Sequence, residues 1–309
     1  MKETDVLIIG SGPAACSAAL YTTRAGFKTI MLGGKNFGGQ LVQTSEVENY
    51  AGFIDPINGF DLMNKMHKQC QRLGAEILQK TAVSVKREAN KMLTELEGGE
   101  IISSYAVLAA TGATARWLGV EGENQFKNHG LSACATCDGF FYKGKTVAII
   151  GGGNTAFEDA LFLTNFCQKV YLIHRRAGFR ADEITIKKAQ SNPKIEFVIP
   201  AVTTKLLGDA SHLTGIELQN PETKEIKTLE VQGVFVAIGS IPQTKFLADS
   251  GVKLTETGHI AVDSKHRTNI EGLFAAGDCQ DAVYRQAIVA AGSGAKAAIE
   301  IINYINKIK

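Results

Sequence analysis

Short apolar runs broken by glycine set the hydropathy pattern of this chain. The first, Asp5–Ile9, is strand-length and stops at Gly10. Gly10-Ser11-Gly12-Pro13-Ala14-Ala15 follows, and the small-residue segment Ala14–Arg24 predicts a helix closed near Gly26. Thr29–Leu32 is the next strand. The same order returns 141 positions later: strand Thr146–Ile150, Gly151-Gly152-Gly153-Asn154-Thr155-Ala156, helix Phe157–Phe166, strand Lys169–His174. Each unit is followed, much later, by an apolar strand closing in Ala-x-Gly. Val107–Gly112 ends in Ala110-Thr111-Gly112, and Val234–Gly239 ends in Ala237-Ile238-Gly239. Gly272–Asp278 predicts a further strand ending in Gly277-Asp278. Ile288, Ala291, Ala295, Ala298, Ile302 and Ile305 then predict a long final helix. The repeated grammar predicts an α/β chain with two Rossmann-like dinucleotide-binding domains.

Both turns read G-x-G-x-x-A in a strand–turn–helix context. Such a turn brings backbone N–H groups to a pyrophosphate at a helix N-terminus, where the helix dipole favours negative charge. The alternative at each is a plain α/β turn. Gly151, Gly153, Asn154, Thr155 and Ala156 form the second cradle. The strand beyond it ends His174-Arg175-Arg176, Arg180 follows, and no acid stands there. Guanidinium forks suit a phosphate monoester, so the pattern predicts NADPH over NADH, the alternative being a solvated basic strand end. The first unit lacks an acid too, since Leu32 is followed by Gly33-Gly34-Lys35. Ribose recognition then falls to Gly38-Gly39-Gln40, Asn49 or Asp278.

Composition narrows the classes. The 309 residues suggest about two domains. Charged residues at 21% and a net charge of +2 advertise neither nucleic acid nor an anionic membrane. No transmembrane span is expected, because apolar runs such as Val234–Ile238 are strand-length. Glu3, Asp5 and Gly10-Ser11-Gly12-Pro13 spoil a signal-peptide reading of the first residues, so a cytoplasmic compartment is expected.

Cys134-Ala135-Thr136-Cys137-Asp138-Gly139 is the chemical centre. Two residues between cysteines allow a closable disulfide with one thiolate of lowered pKa, and Asp138 can carry a proton for it. The alternative is a loop holding two buried thiols. Zinc would want a second cysteine pair, and none exists at that spacing. Cys16, Cys70, Cys167 and Cys279 read as small buried apolar residues. His67, His129, His174, His212, His259 and His266 are assigned to surface or packing, with a minor contact to the cofactor phosphate as a further role for His174. A hydride donor and a disulfide need a mediator, and a flavin is one. The order NADPH, FAD, disulfide follows.

With these motifs in place, the chain resembles the bacterial-type, low-molecular-weight thioredoxin reductases. The match is carried by Gly10-Ser11-Gly12-Pro13-Ala14, Gly38-Gly39-Gln40, Glu46-Val47-Glu48-Asn49, Ala110-Thr111-Gly112-Ala113 and Ser132–Gly139. Gly151–Ala156, His174-Arg175-Arg176, Phe179-Arg180-Ala181, Gly277-Asp278 and Tyr284-Arg285-Gln286-Ala287 complete it. The resemblance implies an FAD domain from residues 1–114 and 242–309, with an NADPH domain carrying the redox disulfide, 115–241, inserted between them. It implies a homodimer, thioredoxin as protein substrate, and no nucleic acid or membrane partner. It places Arg285, Gln286 and Ala287 near the flavin ring, and gives the 2′-phosphate to Arg175, Arg176 and Arg180. Two departures stand out: Ala15 where the family usually has the third glycine of the first turn, with Cys16 following it, and Cys279 where the family often has valine. Competing readings are a flavin-dependent reductase of another carrier, a dithiol oxidase and a nucleotide-sensing module. Because the disulfide and the NADPH motifs lie in one domain and the flavin in the other, the inserted domain is expected to rotate about connections near Thr111–Trp117 and Gly239–Gln243.

Overall fold

Strands that are apolar at every position must be covered on both faces. Val6–Ile9 is such a strand, Thr146–Ile150 is one from Val147 onward, and each is the centre of a parallel sheet in a computed structural model that describes residues 1–44 and 46–309. Backbone contacts divide the chain into two units, Met1–Thr114 with Ile241–Lys309, and Ala115–Ser240.

In the first unit the sheet order is Leu273–Ala275, Ala106–Ala109, Val6–Ile9, Thr29–Leu32, Glu76–Leu78. All four pairings are parallel. Side chains alternate by face: Val6 and Ile8 enter one apolar cluster, Leu7 and Ile9 the other. Helix α1 (Pro13–Arg24) leaves the first strand with proline at its start, where the missing N–H has no partner to lose. Helix α2 (Gly59–Arg72) is capped by Asn58, whose side chain accepts from the Phe60 N–H at 2.9 Å. The second unit repeats the plan: Leu131–Ser132, Gly233–Val236, Thr146–Ile150, Lys169–Ile173, Ile195–Val198, again all parallel. Helix α3 (Asn154–Leu163) follows its central strand. Each unit also carries a smaller sheet: in the first, three antiparallel strands over Ala82–Ser104 joined in parallel by Lys2–Glu3, and in the second, three antiparallel strands over Val202–Glu230. The repeat therefore runs deeper than the two turns.

Several boundaries differ from the sequence expectation. The first strand begins at Val6, because the Asp5 carboxylate is taken by the Lys28 N–H and by Lys309. Helix α3 begins at Asn154 and ends at Leu163, not 157–166, so Asn154, Thr155 and Ala156 form its first turn. Helix geometry starts directly after Gly153, which leaves its N–H groups facing outward. The strands over 107–112 and 234–239 stop at Ala109 and Val236. The strand over 272–278 is only Leu273–Ala275; Gly277–Cys279 is a 3₁₀ turn. In the C-terminal helix, Ala287–Ile308, the buried stripe is Ala290, Ala291, Gly294, Ala297, Ala298, Ile301 and Ile305. Ile288, Ala295 and Ile302 sit at its margin or outside it. This helix is long and apolar enough to cross a membrane by length and composition, and longer than the strand-length apolar runs of the sequence. Its small-residue face is instead core, backed on α1, where an added Cβ at Gly294 would stand 2.1 Å from the Ala14 carbonyl oxygen.

Candidate functional site

The first turn is shaped by what its glycines exclude. Gly10 has φ +131°, and a Cβ there would lie 2.1 Å from the Ala110 carbonyl oxygen. Ala110, Thr111 and Gly112 are thereby held against the turn, with the Ala110 N–H donating to Ile9 at 2.8 Å. Gly12 is different: it caps α1 without a side-chain acceptor, and a Cβ would meet nothing within 4 Å. The Ser11 hydroxyl donates to Gly33 at 3.2 Å and accepts from the Gly38 N–H at 2.9 Å. That bond brings Gly38-Gly39-Gln40 beside the turn, and Gln40 is fixed by the Ala113 carbonyl. Gly277 packs on Ala14, and its N–H donates to the Ser293 hydroxyl at 2.8 Å. Pro13, Ala14 and the buried Ala15 seat the helix.

A second group sits at the head of the C-terminal helix. Asn49 donates to Gln286 at 3.2 Å, Gln286 caps the helix and Ala287 is its first residue. Arg285 takes φ 26°, a conformation that costs of order 1–3 kcal/mol for a residue with a side chain. Its Nε is buried without a hydrogen-bond partner. Burial pushes the Asp278 carboxyl up to about 6; the nearby Arg285 charge opposes this and Asp281 adds to it. All the sequence-predicted FAD residues thus fall within one unit. An uncapped helix N-terminus, an open glycine and an orphaned buried guanidinium nitrogen fit a dinucleotide that brings its own acceptors.

The second turn repeats the logic. A Cβ on Gly151 would lie 2.4 Å from the Ala237 carbonyl oxygen, whereas Gly153 caps α3 without a side-chain acceptor and opens on empty space. Asn154 is engaged reciprocally with Asp182, donating and accepting at 2.8 Å. Arg180 is tied to the turn by its N–H, 2.8 Å from the Gly152 carbonyl. Arg175, Arg176 and Arg180 are exposed, and none forms an ion pair among the described residues. Three unneutralised guanidiniums beside an uncapped helix suit a phosphate dianion. His174 packs on the second turn itself. Its ring lies over Gly152, 2.4 Å from where a Cβ would be, and 5.7 Å from the Phe179 ring. Burial chiefly, with help from the three guanidiniums, holds its pKa below the ordinary value.

Cys134 and Cys137 form a disulfide, with Cα atoms 5.3 Å apart. It spans one helical turn, Ala135–Asp138, seated on α3 where Gly139 leaves no room for a side chain against Leu163 and Phe166. Cys137 and Thr136 are exposed. Ser132 organises the site: its hydroxyl donates to Asp138 Oδ2 at 2.5 Å and accepts from the Cys134 N–H at 3.0 Å. Burial raises the Asp138 carboxyl above its usual pKa, and the Ser132 hydrogen bond opposes that. Ser132 was missed as a functional residue because nothing in its spacing marks a hydroxyl that turns back six positions. Phe140 and Phe141, 60% and 43% exposed, flank the disulfide and were likewise unassigned. His259 is only 2% exposed, with Nε2 unpartnered, a core placement for a residue read as surface or packing.

The pyridine nucleotide-disulphide oxidoreductase family model matches residues 4–294. A thioredoxin reductase of Rickettsia conorii is 42% identical over 306 residues, spanning 98% of this chain and 99% of that protein. One of Mycolicibacterium smegmatis is 44% identical over 297 residues, 96% of this chain and 94% of its own length. The solved thioredoxin reductase of Giardia duodenalis superposes with a TM-score of 0.94 at 35% identity, covering 99% of this chain and 100% of that one. That of Streptococcus pyogenes gives 0.91 at 33% identity, with 99% of each covered. From end to end, then, this chain belongs to the pyridine nucleotide-disulphide oxidoreductase family and is an oxidoreductase of the low-molecular-weight thioredoxin reductase type.

Proposed function

We propose that the chain is a thioredoxin-disulfide reductase that passes two electrons from NADPH, through FAD, to the Cys134–Cys137 disulfide and on to oxidised thioredoxin. The observation that carries this reading is a surface disulfide, backed by a part-buried acid, in the same unit as a dinucleotide turn with three guanidiniums that form no ion pair among the described residues. FAD would be held by the Gly10–Ala14 turn, Gly38–Gln40, Asn49, Ala110–Gly112, Gly277, Asp278 and Arg285–Ala287. NADPH would be held by Gly151–Ala156, His174, Arg175, Arg176 and Arg180. When bound, the flavin accepts a hydride from reduced nicotinamide and hands the electron pair to a disulfide.

The remaining steps belong to this chain's own side chains. Reduction breaks the Cys134–Cys137 bond. One thiolate attacks the partner's disulfide; a mixed disulfide forms and the partner's second sulfur leaves with a proton. The other cysteine then attacks this chain's sulfur of the mixed disulfide; the Cys134–Cys137 bond re-forms, the mixed bond breaks, and the partner's first sulfur leaves and is protonated as its second thiol. Asp138 holds the proton for the leaving sulfur, and Ser132 orients it. Phe140 and Phe141 offer the partner an apolar contact beside the reacting sulfurs. The homodimer is carried over from the resemblance, and the cytoplasmic compartment from the reading of the first residues.

The test is spectroscopic and kinetic. Purified protein should show a flavin spectrum that NADPH bleaches, with continued NADPH oxidation only on adding oxidised thioredoxin. Cys134→Ser and Cys137→Ser should keep the bleaching and lose thioredoxin reduction, and Asp138→Asn should slow only the disulfide half. Thioredoxin turnover at the parent rate in either serine variant would overturn the electron path. Oxygen consumption with a small dithiol, without bleaching by NADPH, would mark a dithiol oxidase instead.

A further inference from the structure

Four cysteines remain as thiols: Cys16, Cys70, Cys167 and Cys279. Two of them meet. Cys16 lies in the first turns of α1 and Cys70 in the last turn of α2, both 0% exposed. Cys70 Sγ donates to the Cys16 carbonyl oxygen at 3.4 Å, which sets the Cys70 thiol against the backbone of Cys16 itself. Cys16 Sγ also lies 3.7 Å from the Ser11 carbonyl oxygen, which His67 Nε2 approaches at 2.7 Å. Ser11 is the residue whose hydroxyl gathers Gly33 and Gly38 to the first turn. The thiol pair therefore sits directly beneath that turn and joins its two supporting helices. Cys279 contrasts with it, since its thiol contacts the backbone carbonyls of Ala109 and Ala276.

We propose that Cys16 and Cys70 are a second redox pair, separate from Cys134–Cys137, which a small hydroperoxide converts into a disulfide clamping α1 to α2. The chemistry balances with hydrogen peroxide as oxidant. The Cys70 thiolate attacks one peroxide oxygen; an S–O bond forms, the O–O bond breaks, and hydroxide leaves to become water. Cys16 then attacks the sulfenic sulfur; the S–S bond forms, the S–O bond breaks, and the departing hydroxide takes the Cys16 proton as a second water. Two thiols lose two electrons and one peroxide gains them. Cys70 is the natural first member: its contact with Cys16 lowers its pKa, although burial opposes this, while the Cys16 thiol is pushed well above its usual value. Access comes through the end of α2, because Cys70 is two residues from the last helical position and terminal turns open most readily.

The test uses the FAD-loaded Cys134→Ser/Cys137→Ser protein, which retains only the four thiols. Graded hydrogen peroxide should lower the thiol count, read after denaturation, from four to two. Peptide mapping should recover Cys16 joined to Cys70, two hydrogens lighter than the separate peptides, and dithiothreitol should restore both. Oxidised protein should unfold at a higher temperature than reduced protein, because a cross-link restricts the unfolded chain. Cys16→Ala and Cys70→Ala, each checked for native circular dichroism and bound flavin, should abolish the linked peptide and the thermal shift. A count that stays at four, at peroxide levels that oxidise the same protein when unfolded, would overturn the proposal. So would recovery of Cys16 and Cys70 as unlinked sulfinic acids, or a link involving Cys167 or Cys279.

Discussion

At the residue scale, the proposed preference for NADPH and the pH behaviour of the fold are both questions of charge. A hydrogen bond to a charged group is worth roughly 1.5–3 kcal/mol, and about 1.4 kcal/mol is tenfold in affinity. Arg175→Ala with Arg176→Ala is therefore expected to raise the KM for NADPH by about a hundredfold or more while changing that for NADH little. Steady-state kinetics with both nucleotides check this, and equal losses would remove the 2′-phosphate assignment. Asp278 gives a pH signature in the flavin-free protein. Its folded pKa, about 6, lies above the ordinary 3.8 of an aspartate, so the folded state binds the proton more tightly. The carboxyl therefore costs no stability below the unfolded pKa; the cost grows between about pH 4 and 6 and is complete above that. At roughly 1.36 kcal/mol per unit, Asp278→Asn should stabilise the apoprotein by about 3 kcal/mol at pH 8 and by roughly half that at pH 5. Denaturant titrations at the two pH values test it, and a pH-independent gain would refute the burial argument.

At the element scale, two glycines of one helix make opposite predictions. At Gly294 an added Cβ would stand 2.1 Å from the Ala14 carbonyl oxygen and 2.8 Å from its carbon, so only backbone movement could relieve it. Gly294→Ala should cost about 1–3 kcal/mol and speed flavin loss, because the start of α1 carries the first turn. Gly292, one helical side away, has nothing within 4 Å of the same position. Gly292→Ala should add about 0.5–1 kcal/mol through backbone entropy. Thermal unfolding and flavin release measure both; matching effects would show that the packing of the C-terminal helix on α1 is not the cause. Helix α2 shows why elements can be overlooked. Its signals, an Asn58 cap and Leu62, Met63, Met66 and Cys70 at helical spacing, are present in the chain. They lack the glycine punctuation that made α1 and α3 conspicuous.

At the scale of the whole molecule, the disulfide, the second turn and the arginines lie within Ala115–Ser240, and the first turn, Asp278 and Arg285 within the other unit. The flavin, as we propose it, must meet nicotinamide and disulfide in turn, and thioredoxin must reach the dithiol. We propose that the inserted unit rotates about the connections near Thr111–Trp117 and Gly239–Gln243, a motion of the kind that takes μs–ms and can gate turnover. A cross-link holding the disulfide at the flavin should block bleaching by NADPH, while one holding nicotinamide there should allow one reduction and then stall. Full turnover in both tethered forms would eliminate the rotation.

The sequence by itself determined the repeated strand–turn–helix units, the disulfide pair and the basic cluster, because each is local. Glycines reveal where backbones must approach, period and run length reveal strands buried on both faces, and Cys-x-x-Cys spacing is fixed by one helical turn. Only the tertiary structure decided what burial and distant partners do. It set the raised carboxyls of Asp138 and Asp278, the Ser132 hydrogen bond, the seat of His174 on Gly152, and the meeting of Cys16 with Cys70 across 54 positions. Those depend on desolvation and on side chains brought together from separate elements, and neither is written in the spacing along a chain.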